Sequence, residues 1–220
     1  MTDEPIPPVL ILGAGRQGRN VAHVLRDAGR PVMGFLDDTK ARGARVDGVE
    51  VLGGFDRAYD AALLRAAALL VAIGKPATRQ RLTEELAARG ARLASAIHPS
   101  ATMSAYAQLG PGLFVGAFVR LAPGVRIGVG CLIEASCSIG CDCELAPFAT
   151  LAPHCSLTAG SRIGAGSFVG THGSVGGVSV GNACIVGAGS VVVRDLPDGV
   201  RAFGAPAKIV GPADWSRPPV

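Results

Sequence analysis

The 220-residue sequence has no apolar run long enough to cross a membrane. Its longest, Ala66–Ile73, stops at eight residues, where about 18 are needed. Aromatic residues are scarce, with one Trp, two Tyr and seven Phe, so the core is not built from large rings. Charged residues make up only 17% against 49% hydrophobic, which excludes a disordered chain. Charge of one sign is also thin. A net +4 from 21 basic and 17 acidic residues is too small and too scattered for a nucleic-acid surface. The opening MTDEPIPP carries acids and prolines where a secretory signal needs basic and then apolar residues, so a cytoplasmic location is expected. What is abundant is glycine. The 31 glycines are about twice the usual share of roughly 7%, with no collagen-like triplet. Many tight turns and few bulky side chains point to short repeated strands.

The first part, residues 1–95, reads as α/β. Val9–Leu12 is a short strand, followed by the glycine-rich turn Gly13-Ala14-Gly15-Arg16-Gln17-Gly18 and a helix through Val21, Ala22, Val24 and Leu25 that ends near Gly29. A second strand, Val32–Leu36, ends at Asp37-Asp38, and Val49–Leu52 is a strand or hairpin arm. Helical segments are predicted at Ala58–Ala67 and Arg79–Arg89, with a strand at Ala68–Ile73 between them. Strands alternating with helices imply a small parallel sheet. The segment is short for a dinucleotide domain with two complete halves.

From Ile97 the period changes. An aliphatic residue, once Met, recurs every six positions from Ile97 through Met103, Leu109 and Val115 to Val175. After a one-residue deletion the series resumes at Val180, Val186 and Val192, and the position after each is mostly Gly or Ala. Neither helix nor simple strand periodicity produces this. It specifies hexapeptide repeats, three per coil, wound into a parallel β-helix over residues 96–195. Residues 196–220 form a tail expected to pack on that helix.

The same register accounts for most cysteines. Cys131, Cys137, Cys143, Cys155 and Cys184 each lie four residues after an aliphatic rung, in a small inward slot, and are read as buried apolar residues. Cys141 falls outside that slot, at an outward turn. The spacing of Cys137, Cys141 and Cys143 matches no common zinc motif, and no metal is expected.

Three features now stand in order: the glycine-rich α/β domain, Ile-His-Pro-Ser-Ala at 97–101 leading into hexapeptide coils, and Gly-Ala-Gly-Ser-Val-Val-Val-Arg-Asp-Leu-Pro at 187–197 with Gly-Ala-Pro-Ala-Lys at 204–208. This pattern resembles the NeuD/PglD-type nucleotide-sugar acetyltransferases, which include the bacillosamine and perosamine N-acetyltransferases. The resemblance spans residues 9–210. It implies an α/β Rossmann-like N-terminal domain followed by a left-handed parallel β-helix, assembled as a homotrimer. It also implies acetyl-CoA in the groove between adjacent β-helices and a nucleotide-linked amino sugar on the N-terminal domain. By the same resemblance Thr150, Thr171 and Ala188 fall on CoA-contacting positions; Lys208, near the C-terminus, is a candidate partner for a CoA phosphate. Gly13, Gly15, Gln17, Gly18, Arg19, Asp37, Asp38, Gly74 and Lys75 fall on the substrate side. Glycine at 13, 15 and 18 suits a phosphate cradle at a helix N-terminus, and Asp37-Asp38 suits hydrogen bonds from a nucleobase or ribose.

Three departures from the family pattern matter. Relatives read Asp-His-Asp-Cys or similar where this chain reads Gly140-Cys141-Asp142-Cys143, so Cys141 stands in place of the histidine base. Relatives carry a histidine and a lysine where this chain has Gln17 and Arg19, and Asp/Asn-Asn where it has Lys75-Pro76. The chemistry stays open among several readings. N-acetylation without the usual base loses about 10²–10⁴-fold. The base has alternatively moved to His172 or His154, which are one coil apart and expected to stack. Cys141 as a nucleophile beside Asp142 is disfavoured, because the acid raises the thiol pKa. The runner-up class is a non-catalytic or diverged nucleotide-sugar/CoA-binding scaffold. The glycine turn with Asp37 also fits an NAD site, and the paired histidines a β-helical zinc enzyme; both are weaker, because half the dinucleotide fold and a third histidine are missing.

Overall fold

The computed structural model describes residues 6–216; the first five residues of the acidic, proline-bearing N-terminus and the end of the tail at 217–220 lie outside it. The N-terminal part is a five-stranded sheet. Its strands are β1 (Val9–Leu12), β2 (Val32–Leu36), β3 (Arg45–Val46), β4 (Val49–Gly53) and β5 (Ala68–Val71), in the order β3-β4-β2-β1-β5. β1 pairs in parallel with β2 and β5, and is buried along its whole length. Helix α1 (Arg16–Asp27) follows β1 through the glycine turn and buries Val21, Ala22, Val24 and Leu25, the residues its 3.6-residue period singles out.

Two helix boundaries differ from the sequence reading. The segment expected as one helix over 58–67 is a 3₁₀ turn, Phe55–Tyr59, and a short helix α2 (Ala61–Ala66). Asp60 breaks it, with extended backbone and a carboxylate that accepts from Ala62 N at 2.8 Å, as an N-cap residue does. Helix α3 (Pro76–Ala88) begins three residues earlier than expected, because Pro76 occupies its first turn, where the missing N–H costs nothing.

The rest is a left-handed parallel β-helix. Every aliphatic residue of the hexad series is the second residue of a two-residue strand, from Ala96–Ile97 to Val191–Val192. Strands one coil apart pair in parallel, for example Arg120 with Ser138 and Leu121 with Ile139. The rungs from Val115 to Val192 are buried in one continuous core. The one-residue deletion makes no loop: Ser179–Val180 still pairs in register with Arg162–Ile163. Gly177 closes the shortened turn at φ +73°, and its N–H donates to Ser161 Oγ at 3.1 Å. Strand Val200–Phe203 adds in parallel to Ile185–Val186, and Lys208–Pro212 folds back antiparallel on it.

The residues just before the rungs point outward, and they sort by face. Two faces carry polar residues, such as Thr102, Arg120, Ser138 and Gln108, Arg126, Glu144. The third carries Phe114, Leu132, Thr150 and Phe168. Phe114 and Leu132 join the core of the N-terminal domain, packed with residues such as Val21 and Leu25. The N-terminal domain therefore sits on the one apolar flank of the prism, because burying that surface is favourable.

Candidate active site

The glycine turn comes first. A Cβ at Gly18 would run into Gly13 O, and one at Gly13 would meet Ala72 O at 2.9 Å, with Gly13 at φ +103°. These two positions let β1, α1 and the β5 end close on one another. Gly15 faces open space, with nothing within 4 Å of a Cβ, so a ligand has access to its backbone. Asp37 ties the turn down: one carboxylate oxygen accepts from Ala14 N at 2.7 Å, the other from Thr39 N at 2.8 Å and Thr39 Oγ1 at 2.6 Å. Burial pushes the Asp37 pKa up, but these hydrogen bonds outweigh it, and the carboxyl lies below its usual range. Asp38 Oδ1 accepts from Phe55 N at 2.7 Å. Both acids thus hold backbone as well as lying beside the turn. Gly13, Gly15, Gln17, Asp37 and Gly74 line a cleft of about 400 Å³. Arg19 turns away from it and forms a two-pronged pair with Asp47, at 2.7 and 3.2 Å.

A second cavity, of about 450 Å³, opens where the N-terminal domain meets the β-helix. Gln17, Lys75, Glu134, Thr150, Phe168 and Trp215 contribute to its wall. Trp215 is fastened by its indole N–H to Ala183 O at 3.2 Å. The seam behind this cavity is held by Arg79, which is fully buried. Its guanidinium donates to Ile73 O, Gly74 O, Gly130 O and Phe148 O at 2.7–2.9 Å, and to Thr150 Oγ1 at 3.0 Å. Every acceptor is uncharged, and burial lowers its pKa. One side chain thereby fixes the Gly74-Lys75 loop and Thr150 against each other.

The remaining sequence-derived residues lie at two corners of the prism. His154 and His172 stack as expected, with ring centroids 4.8 Å apart and planes within 7°. Both are exposed and both have positive φ. Thr171 and Ala188 belong to the same corner, where Gly189 N donates to Thr171 O at 2.8 Å. Cys141 and Asp142 occupy the next corner, in the turn column of Gly124 and Gly160. Cys141 is exposed. The Asp142 carboxylate lies against the Gly124 turn of the preceding coil. Lys208 is exposed at the start of the returning strand. Within one chain these two corners do not converge.

The other five cysteines are buried. Cys143 Sγ donates to Thr158 O at 3.0 Å and Cys137 Sγ to Ala152 O at 3.2 Å. Burial pushes the Cys131 thiol up to about 12. Cys137 is raised by its contact with Cys155 one coil on and by burial. The same contact lowers the Cys155 thiol, and all five cysteines pack in the core of the β-helix. Among the described residues no group of three or more His, Cys, Asp or Glu is placed to hold a metal.

Residues 8–86 match the family model of the PglD N-terminal domain. A histidine-to-asparagine variant of perosamine N-acetyltransferase from Caulobacter crescentus, in complex with CoA and GDP-perosamine, is 37% identical. The match covers 94% of this chain and 98% of that one, with a TM-score of 0.88. The acetyltransferase domain of PglB from Neisseria gonorrhoeae, in complex with acetyl coenzyme A, is 32% identical over 94% of this chain and all of that one, at TM-score 0.89. The chain belongs to the NeuD/PglD family of sugar acetyltransferases. No curated protein sequence matches it.

Two residues of this family member escaped the sequence reading. Arg79 reads as an ordinary polar position on an amphipathic helix, and nothing local marks it as buried. Glu134 did leave a signal. The position after each rung is mostly Gly or Ala, and on the flank facing the N-terminal domain Glu134 stands between Gly116 and Ala152. A carboxylate in that column is out of pattern.

Proposed function

We propose that this chain is an acyl-CoA-dependent N-acetyltransferase that acetylates the amine of a nucleotide-linked sugar, working as a cytoplasmic homotrimer. Acetyl-CoA is the cosubstrate and no metal takes part. The observation that carries this reading is the cavity in which the glycine turn's Gln17, the Gly74-Lys75 loop and the β-helix residue Thr150 meet. A nucleotide held at Gly13, Gly15 and Gly18, with Asp37 and Asp38 beside it, presents its sugar into that space. The corner bearing Thr171, His172 and Ala188 offers backbone and side-chain donors to the pantetheine arm and thioester of acetyl-CoA, and Lys208 a cation for its phosphates. Support comes from the 37% identity to perosamine N-acetyltransferase from C. crescentus, a variant of which is in complex with CoA and GDP-perosamine.

The reaction needs an acceptor for the amine proton and donors for the oxyanion of the tetrahedral intermediate. Cys141 stands where relatives place their histidine, with Asp142 beside it, so the usual base is missing. The His154–His172 stack is the relocated base in one version of this mechanism. The competing reading, a scaffold that binds nucleotide sugar and CoA without turnover, draws on the exposed Cys141 and on Asp142 turning to Gly124.

The test is thiol release from acetyl-CoA with GDP-perosamine and with UDP- and dTDP-linked amino sugars. Wild type is expected to turn over at least one of them. Activity that appears only in Cys141→His establishes the scaffold reading. Loss of wild-type activity in His172→Ala establishes the relocated base.

A further inference from the structure

Among the described residues, the cavity at the domain seam contains one carboxylate, Glu134, which the mechanism proposed so far does not use. Among the described residues, Glu134 and Lys75 are the only charged side chains in its wall. Glu134 is half-buried and, among the described residues, has no Lys, Arg or His within 4 Å. The cavity wall around it includes Leu132, Ala152 and Phe168. Gln17, from the opposite domain, is its neighbour. The Gln17 amide nitrogen is buried and makes no well-formed hydrogen bond of its own. Thr150 Oγ1 already accepts from Arg79, so its own proton is available to an acceptor inside the cavity.

Resting on the function proposed above, we infer that Glu134 is the proton acceptor of the acetyl transfer in this chain, taking the place of the absent histidine. The substrate ammonium pairs with the Glu134 carboxylate, beside which Gln17 stands in the cavity wall. Glu134 takes a proton from nitrogen, and the neutral amine attacks the thioester carbonyl. The C–N bond forms and the carbonyl pair moves to oxygen, where the Thr150 hydroxyl donates to it. The pair then returns, the C–S bond breaks, and the leaving thiolate takes the proton held by Glu134. The regenerated Glu134 carboxylate then takes the second proton from the amide nitrogen and passes it to water, so the products are the amide, CoA thiol and one proton, and no other reactant is required.

The electrostatics fit this role. Burial raises the Glu134 pKa above the ordinary carboxylate range, and the Gln17 contact offsets this only in part. That brings the acid nearer to neutrality, where a general base works best. Among the described residues, the other charged groups around it are Lys75 at the start of α3 and Arg79 behind Thr150.

Two measurements with GDP-perosamine and its UDP- and dTDP-linked counterparts decide the matter. In the transfer assay, Glu134→Gln is expected to lower kcat by about 10²–10⁴-fold, to keep the KM for acetyl-CoA within about twofold, and to abolish the acidic limb of the pH–rate profile. Glu134→Asp restores that limb with a smaller kcat. In the second measurement, calorimetry compares each amino sugar with its N-acetylated product. Wild type is expected to favour the amine about tenfold or more, and Glu134→Gln to show no preference. Glu134→Gln with wild-type kcat and an intact acidic limb overturns the inference. Absence of turnover in wild type overturns the proposed function instead; the calorimetric preference then decides alone whether Glu134 faces the substrate amine.

Discussion

At the scale of single residues, Arg79 shows how one side chain ties a site together. It is buried without a counter-ion, which is costly for a cation, and the cost is met by five hydrogen bonds to acceptors on both domains. Arg is suited to this because its fork carries five donors in a fixed plane. Replacing it with Met leaves four carbonyls and the Thr150 hydroxyl without a donor. The expected net loss is about 3 kcal/mol in urea unfolding, after allowing for relief of the buried charge. Arg79→Lys is expected to recover little of it, since three donors cannot cover five acceptors. Of the site residues named from sequence, Gly13 and Gly18 stand where a Cβ would meet Ala72 O and Gly13 O, a close approach that the sequence reading did not foresee. Arg19 did not keep its expected direction, because Asp47 reaches it from the β3–β4 turn. That contact is 28 residues away in the chain, and no local pattern encodes it.

At the scale of elements, the hexad register was legible to the residue, because each rung is defined by neighbours only six positions apart. The effect of the deletion after Val175 was not legible. A shortened turn becomes either a bulge or a tightened corner according to what fills it. Here Gly177 supplies the left-handed backbone, and the buried Ser161 hydroxyl accepts its N–H while donating to Thr158 O at 2.7 Å. Ser161→Ala leaves that N–H unsatisfied. The expected cost is about 1–2 kcal/mol, read as a fall in Tm of about 2–8 °C. Helix α3 gives the complementary lesson. Its start at Pro76 follows the known preference of proline for the first helical turn, yet the apolar period, taken alone, placed the boundary at Arg79.

At the scale of the whole molecule, two carboxylates act in opposite senses with pH, Asp37 in the glycine-turn cleft and Glu134 at the domain seam. The Asp37 carboxyl is depressed in the folded state. Its stabilising contribution is full above the ordinary value of 3.8 and is lost as pH falls through the lower folded value. The Glu134 carboxyl is raised. Ionising it in the folded protein is a cost, absent below 4.5 and complete only above its raised folded value. Glu134→Gln is therefore expected to raise Tm at pH 7 and to leave it almost unchanged at pH 4, measured by calorimetry. A variant that is more stable and less active is the signature of a carboxylate kept buried for chemistry rather than for folding.

The sequence by itself determined the two-part organisation, the strand rungs, the inward cysteines, the stacked histidine pair and the glycine turn. All of these follow from periods of two to six residues, or of 18 for one coil, acting along a chain whose geometry repeats. Only the tertiary structure decided which flank of the prism the N-terminal domain covers. It alone buried Arg79 in the seam, turned Arg19 to Asp47, and set Glu134 beside Gln17 in the cavity wall. Each of these depends on surfaces from distant segments meeting, and the free energy of such contacts is set by shape and desolvation at the interface, which no local spacing records.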